Sequence, residues 1–292
     1  MQNIIRKIRA RLGMNQTEFA DRLGVAFASV NRWENGKAFP NKIAQINIYN
    51  LCKENNVPIY DITLERIAEE GKNIELEDGR TLLFHGSKSG IEGEIIPGSR
   101  KQCDFGKGFY MGTEAMQALT LVCNFPKSKF YIVSVDEREL DVLDVPADLD
   151  WALLVAFNRE KMKDICGTEF YNKYRDMTAN KDLVIGYIAN DRMFYVIDQF
   201  FQGTITDAAL INSLSVLNLG KQYVTISDKG CKAVRIEKEI SISQLERMAI
   251  SDVAVTNREK GISEANEICK NYRREGLFFD EILEKAKAGG KA

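Results

Sequence analysis

The chain is short of the residues that most metal and redox sites need. It has one histidine, His85, and its six cysteines (Cys52, Cys103, Cys123, Cys166, Cys231 and Cys269) lie tens of residues apart with no CxxC pair. A structural zinc site or a disulfide framework is therefore not expected; reduced, mostly buried thiols are, with no metal. Long apolar runs are missing too. The stretch from Trp151 to Phe157 is among the longest, far below the roughly 20 residues needed to span a bilayer, so no membrane partner is expected. The first residues, MQNIIRKIRARLG, intersperse charges and lack the apolar segment of a secretory signal. These absences point to a cytoplasmic protein. A large excess of either charge is missing as well, with a net −2, and 45% hydrophobic against 28% charged residues suits a globular protein with a full core. At 292 residues two domains fit.

The small net charge hides an asymmetry. Through Tyr60 there are nine Lys/Arg against four Asp/Glu, or +5, which leaves −7 for the remainder. A basic head on an acidic chain is expected to meet a polyanion.

That head reads as short helices. Ile4, Ile5, Ile8 and Leu12 recur at helical spacing up to Gly13. Asn15 is a candidate N-cap for a helix over 16–23 with Phe19, Ala20 and Leu23 on one face. Gly24 turns the chain, a third helix runs from about Phe27 to Asn35, and Pro40 precedes a fourth over 41–54. Trp33 falls in phase with Val30 and is expected in the core. The string resembles the phage-repressor (Cro/Xre-type) helix-turn-helix family at Gln16, Phe19-Ala20, Leu23-Gly24-Val25, Val30, Trp33-Glu34-Asn35-Gly36-Lys37 and Pro40. The resemblance implies double-stranded DNA as partner, with the third helix in the major groove and a homodimer as the acting form. It places Phe27, Ala28, Asn31 and Arg32 at base edges, and Gln16, Arg22 and Lys37 nearer the phosphates, the second helix offering its N-terminus there.

After Glu70 the pattern changes, and a domain boundary is expected near 70–76. Asp78-Gly79 signals a hairpin turn. His85 ends an apolar run (Leu82, Leu83, Phe84) and is followed by Gly86 and Ser87; some twenty residues on, Asp104-Phe105-Gly106-Lys107-Gly108-Phe109-Tyr110 feeds a second short strand. Glycine beside polar aromatic groups at two strand ends suggests a cleft where backbone approaches a ligand. A histidine at a strand end also serves as a satisfied core residue, and such glycines also serve tight loops.

The two segments, Leu83 to Ser87 and Phe105 to Tyr110, resemble the first two motifs of the ADP-ribosyltransferases related to diphtheria toxin and the poly(ADP-ribose) polymerases. The third motif finds its match in Gln222-Tyr223-Val224-Thr225-Ile226. The region of roughly 81–236, with LDWALLVAFNR and DLVIGYIANDR, also resembles an uncharacterised bacterial domain family. The resemblance implies NAD as donor, with His85 on the adenine-side ribose, Gly86 on the carboxamide, Ser87 supporting the donor, Tyr110 stacked on nicotinamide and Gln222 on the nicotinamide ribose; Gly108 and Phe109 line the same pocket. Its geometry requires the His85 and Tyr110 rings to meet across a gap. Where the superfamily has glutamate this chain has Gln222, so single-unit transfer or a non-catalytic NAD or ADP-ribose sensor is implied in place of polymerisation. Asp104 and Glu114 are alternative sources of a carboxylate, and the acceptor of ADP-ribose is left open, as is a purely protein-binding role.

The expected architecture is multi-domain: an all-α helix-turn-helix domain over 1–72, an α+β ADP-ribosyltransferase-like domain over 73–240 and a helical extension over 241–292. Within it, helices are expected over 114–124, 151–165 and 193–201, and strands over 129–135, 183–189 and 222–227. Asn158-Arg159 points to the pocket or, preferably, to solvent, and Tyr171, Tyr174 and Arg175 sit in a polar connector. Arg192 approaches the donor phosphates or forms a salt bridge. Beyond Ser243 the chain is helical, with a stripe of Ile262, Ala265, Ile268, Cys269 and Tyr272.

Overall fold

A computed structural model describes residues 2–188, 191–216, 220–272 and 274–288. The head holds α1 (Gln2–Arg11), α2 (Gln16–Leu23), α3 (Phe27–Glu34), α4 (Lys42–Glu54) and α5 (Ile59–Lys72). Asn15 caps α2 by accepting from the Thr17 and Glu18 amides, and the Glu18 carboxylate returns the bond to the Asn15 amide. Gly24 ends the helix at φ 66°, a left-handed turn that side-chain-bearing residues resist. Ile4, Ile5, Ile8, Phe19, Val30, Trp33 and Ile48 close the head's core.

The second domain carries β1 (Arg80–Ser87), β2 (Phe109–Gly112), α6 (Ala115–Val122), β3 (Lys129–Asp136), β4 (Val142–Asp144), α7 (Leu149–Asn158), α8 (Glu169–Met177) and β5 (Leu183–Tyr187). It continues through α9 (Asp191–Phe201), α10 (Asp207–Val216), β6 (Lys221–Thr225), α11 (Asp228–Lys232) and β7 (Val234–Ile240). The strands form one seven-stranded sheet in the order β4-β5-β6-β2-β1-β3-β7. Only the β4–β5 pair is parallel, so the sheet is mixed.

The last helices, α12 (Gln244–Tyr272) and α13 (Phe279–Lys287), pack back on both parts. Leu245 and Ala249 of α12 complete the head's core, and Ile250 joins Ile67 of α5 and Phe130 and Ile132 of β3 in a second cluster. Phe279, Ile282 and Ala286 of α13 enter the large core around Trp151. Head and sheet domain thus share apolar packing through α12. The junction also contains a buried ion pair, Arg66 Nη2 to Glu246 Oε1 at 2.5 Å, with side chains 9% and 1% exposed.

Several local expectations are corrected. Gly79, at φ 82°, leads into β1 with no strand before it, so Asp78-Gly79 does not close a hairpin. The helix expected over 151–165 stops at Asn158, because Glu160 takes φ 60°; a single 3-10 turn follows at Lys163–Ile165. The polar connector is instead α8, capped by Thr168, with Tyr174 buried and donating to Asp150. The side chains of Arg192, Ile262, Ala265 and Ile268 lie outside the described residues.

Glu246→Ala leaves the Arg66 charge buried without its partner, so it should lower unfolding free energy by about 3–5 kcal/mol in urea titration. A loss below about 1 kcal/mol would mean that the pair does not clamp head to sheet domain.

Candidate functional site

Two surfaces hold the candidate residues. On the head, Arg22, Phe27, Ala28, Arg32 and Lys37 are exposed. Arg22, Arg32 and Lys37 have no carboxylate partner among the described residues, which leaves three cations for phosphates or base edges. The Asn31 oxygen accepts from Asn35 Nδ2 at 3.1 Å, so its own NH2 remains a donor. The start of α3 has no side-chain cap, and its first N–H groups are open to an anion.

Gln16 does not behave as expected. Its amide nitrogen donates to Glu34 Oε2 at 2.6 Å, and Arg9 donates to both oxygens of the same carboxylate, at 2.6 and 3.1 Å. The Glu34 side chain is 1% exposed. Burial alone would raise its pKa, but the bonds from Arg9 and Gln16 leave it below the ordinary 4.5. Gln16 is therefore turned inward to hold α2 against α3, and the α2 N-terminus already has Asn15 on its amides. Phe39 and Ile43, 68% and 70% exposed, are apolar side chains facing solvent soon after Lys37 that sequence reasoning passed over.

The second surface lies where β1 meets β2. Directly opposed residues of an antiparallel pair share a face, and neighbours along a strand alternate. Phe84 pairs with Gly112, Gly112 with Gln222 and Tyr110 with Val224. Gly86, Tyr110 and Gln222 therefore share one face, and His85 lies on the other with Phe109 and Tyr131. The expected meeting of the His85 and Tyr110 rings does not occur, because one residue of offset reverses the side.

The imidazole instead makes a different contact. His85 Nδ1 lies 2.7 Å from the Tyr110 carbonyl oxygen, and the ring stacks on Phe109 with centroids 4.2 Å apart. A carbonyl only accepts, so the proton sits on Nδ1 and Nε2 carries a lone pair. Burial lowers the pKa of the ring below 6.5 against the pull of that carbonyl, which keeps it neutral near pH 7. Among the described residues nothing bonds Nε2. The Tyr110 hydroxyl donates to the Gly106 carbonyl at 2.8 Å and accepts from the Phe105 amide at 3.1 Å. Burial raises its pKa strongly, and the phenol holds its own loop.

Three other expected contacts have packing roles. A Cβ on Gly86 would stand 2.5 Å from the Ala118 carbonyl oxygen on α6, and one on Gly108 would stand 2.4 Å from Val224 Cγ1. Ser87 Oγ closes a turn with the Gly90 carbonyl and amide, at 2.8 and 3.0 Å.

Gln222, 6% exposed, belongs to a polar cluster. Its Nε2 donates to the Tyr187 carbonyl at 3.1 Å and lies 3.4 Å from Asp104 Oδ2. Arg159 Nε and Nη2 donate to Asp104 Oδ1 at 3.1 and 2.6 Å, and Asn158 Nδ2 to the Asp104 carbonyl at 3.1 Å. Asn158 and Arg159 thus turn inward, against the preference for solvent. Glu114 is exposed and takes no part in these bonds.

Residues 81–236, more than half of the chain, match the family described as Protein of unknown function (DUF3990), and the chain belongs to that family. Residues 5–62 match the family described as Helix-turn-helix; the head is a helix-turn-helix domain of Cro/Xre type, which supports DNA binding. Among curated proteins and among solved structures nothing matches the chain. Among the described residues no helix is long and apolar enough to cross a membrane.

His85 is protonated in the unfolded chain near pH 6.5, while the folded ring stays neutral to lower pH. The unfolded state then binds more protons, so this contribution is complete above pH 6.5 and is lost as pH falls below it. Thermal melts across about pH 5 to 7 should fall off on the acid side for the native chain and be flatter for His85→Gln. Parallel profiles would contradict the half-buried, neutral ring.

Proposed function

We propose that the chain is a DNA-binding protein whose second domain takes NAD and transfers single ADP-ribose units to an acceptor. The observation that carries this reading is the His85 imidazole. Its proton is held on Nδ1, and its Nε2 is an open acceptor where β1 and β2 part. β1 and β2 are joined at the single pair Phe84–Gly112, with His85 on one face of the sheet there and Gln222 on the other. Gln222 Oε1, also without a donor among the described residues, is a second acceptor on the neighbouring strand. Two hydrogen-bond acceptors suit sugar hydroxyls.

The reaction breaks the bond from ribose C1′ to the nicotinamide nitrogen. The bonding pair leaves with nicotinamide and cancels its positive charge, an acceptor atom bonds C1′, and the acceptor's proton goes to solvent. The developing charge is oxocarbenium-like, so fixed acceptors on the ribose hydroxyls orient and stabilise the sugar. Tyr110 contributes its backbone carbonyl and its grip on the 105–106 loop in this scheme, not a stacked ring. An amide at position 222 orients without supplying charge, which fits single transfers.

Calorimetry with NAD, followed by label transfer from labelled NAD, tests the reading. Binding and transfer are expected for the native chain, with both lost in His85→Ala. Absence of label on the chain itself and on protein, RNA and DNA acceptors would overturn the transferase step. On the head, Arg32→Ala should weaken binding to a selected operator by about 1–3 kcal/mol. Lys37→Ala should lower the salt slope by about one.

A second reading, a non-catalytic regulator that senses NAD or ADP-ribose, is favoured by the docking of the head on α12. Arg247 of α12 donates to the Val122 carbonyl at the end of α6 and to the Ser128 carbonyl just before β3, at 3.2 and 3.1 Å, while the adjacent Glu246 holds Arg66 of the head. Nucleotide and operator would then change each other's affinity by the same factor, and binding without turnover would select this reading.

A further inference from the structure

We infer that the Gln117 side chain is an internal stopper: it fills a slot over Gly112 and Gly220 beside Gln222, and it swings out before a ligand reaches that face of the sheet. This rests on the reading of the second domain as an NAD site. Gln117 stands in the first turn of α6, which begins three residues after β2 ends. A side chain there leans back toward the start of its helix, so it returns over the strand the chain has just left. Gly112 is the direct cross-strand partner of Gln222, and directly opposed residues share a face. A Cβ on Gly112 would stand 2.8 Å from Gln117 Oε1, and one on Gly220 would stand 2.9 Å from Gln117 Nε2. Gly112 does not take a left-handed φ. What glycine supplies there is room, and the Gln117 amide occupies it.

The fit is incomplete in one respect. Gln117 Oε1 is buried, and among the described residues nothing donates to it. A residue kept only for packing here would be apolar or fully bonded, since a buried acceptor without a donor is costly. The closed arrangement therefore carries a cost that opening relieves. Only the side chain has to move. Ala118, Leu119 and Val122 are buried and keep α6 packed on the sheet. Gln117 is half-buried, and Glu114 at the edge of the same slot is exposed, so rotation about the Gln117 side-chain bonds returns Oε1 to water. The cover on the other side of Gln222 is fixed by comparison. There the ring of Phe105 lies 2.5 Å from where a Cβ on Gly186 would stand, and the Tyr110 hydroxyl bonds the Phe105 amide and the Gly106 carbonyl. Access to this face is therefore from the Gly112 side, where one flexible side chain stands in the way.

The test titrates NAD calorimetrically into the full chain and into two variants that change the stopper in opposite directions. Gln117→Ala removes it and should bind NAD about tenfold more tightly, as expected for a site that is open about one time in ten. Gln117→Met keeps the length, drops the unpaired acceptor and should hold the slot shut, so its affinity should fall below the native one. A residue that merely packs would not move the two affinities in opposite directions. Affinities that stay equal, shift together or shift in the reverse sense would overturn the stopper and leave the NAD reading standing. Binding by Gln117→Ala alone would support both. If none of the three chains binds NAD, both fall.

Discussion

A single residue pair, Phe84 with Gly112, joins the two halves of the sheet. On one side β1 is paired with β3 along its whole length, eight residue pairs from Arg80 to Ser87. On the other, β2 is paired with β6 along all four of its residues. Between these two well-bonded blocks the remaining backbone groups need other partners, since a buried carbonyl without one is costly. The Tyr110 carbonyl finds the His85 imidazole. That one bond sets the tautomer of the chain's only histidine, whose ring stacks on Phe109, and among the described residues leaves its second nitrogen without a partner. The candidate chemistry of the domain follows from this seam.

The rest of the molecule supports the seam from outside. On the Gly86 face α6 lies so close that no Cβ fits beneath the Ala118 carbonyl, and Arg247 ties the end of α6 to α12. The first turns of α12 fill the base of the helix-turn-helix head. The DNA-reading surface is therefore connected to the sheet through packed side chains and a buried ion pair, with no flexible linker between α12 and either body. Such a connection can carry a two-way influence between DNA and any ligand of the sheet domain.

Much of this was legible in the sequence, and the failures have physical causes. The head's helices were readable because apolar period, caps and glycine stops agree. The inward turn of Gln16 was not, because its partner Glu34 and Arg9 are far apart in the chain and meet only after folding. Strands of the sheet's interior announced themselves as apolar runs. β7 did not: it is an edge strand, and VRIEKEI carries the charges that keep an edge from pairing further. β4 is only three residues long. The residue types at the candidate site were readable from two short motifs, but the side on which each points depends on register between strands twenty residues apart. One residue of offset moved His85 to the face opposite Tyr110. Arg159 was read as solvent-facing because its partner, Asp104, belongs to a loop that local pattern does not place.

The most direct measurement is a long-range proton–nitrogen magnetic resonance spectrum of the imidazole, unambiguous because the chain has one histidine. At pH 7 it should report a neutral ring with the proton on Nδ1, and added NAD should shift the Nε2 resonance. An imidazolium, a proton on Nε2, or a spectrum unmoved by saturating NAD would contradict the reading of this seam as a sugar-nucleotide site.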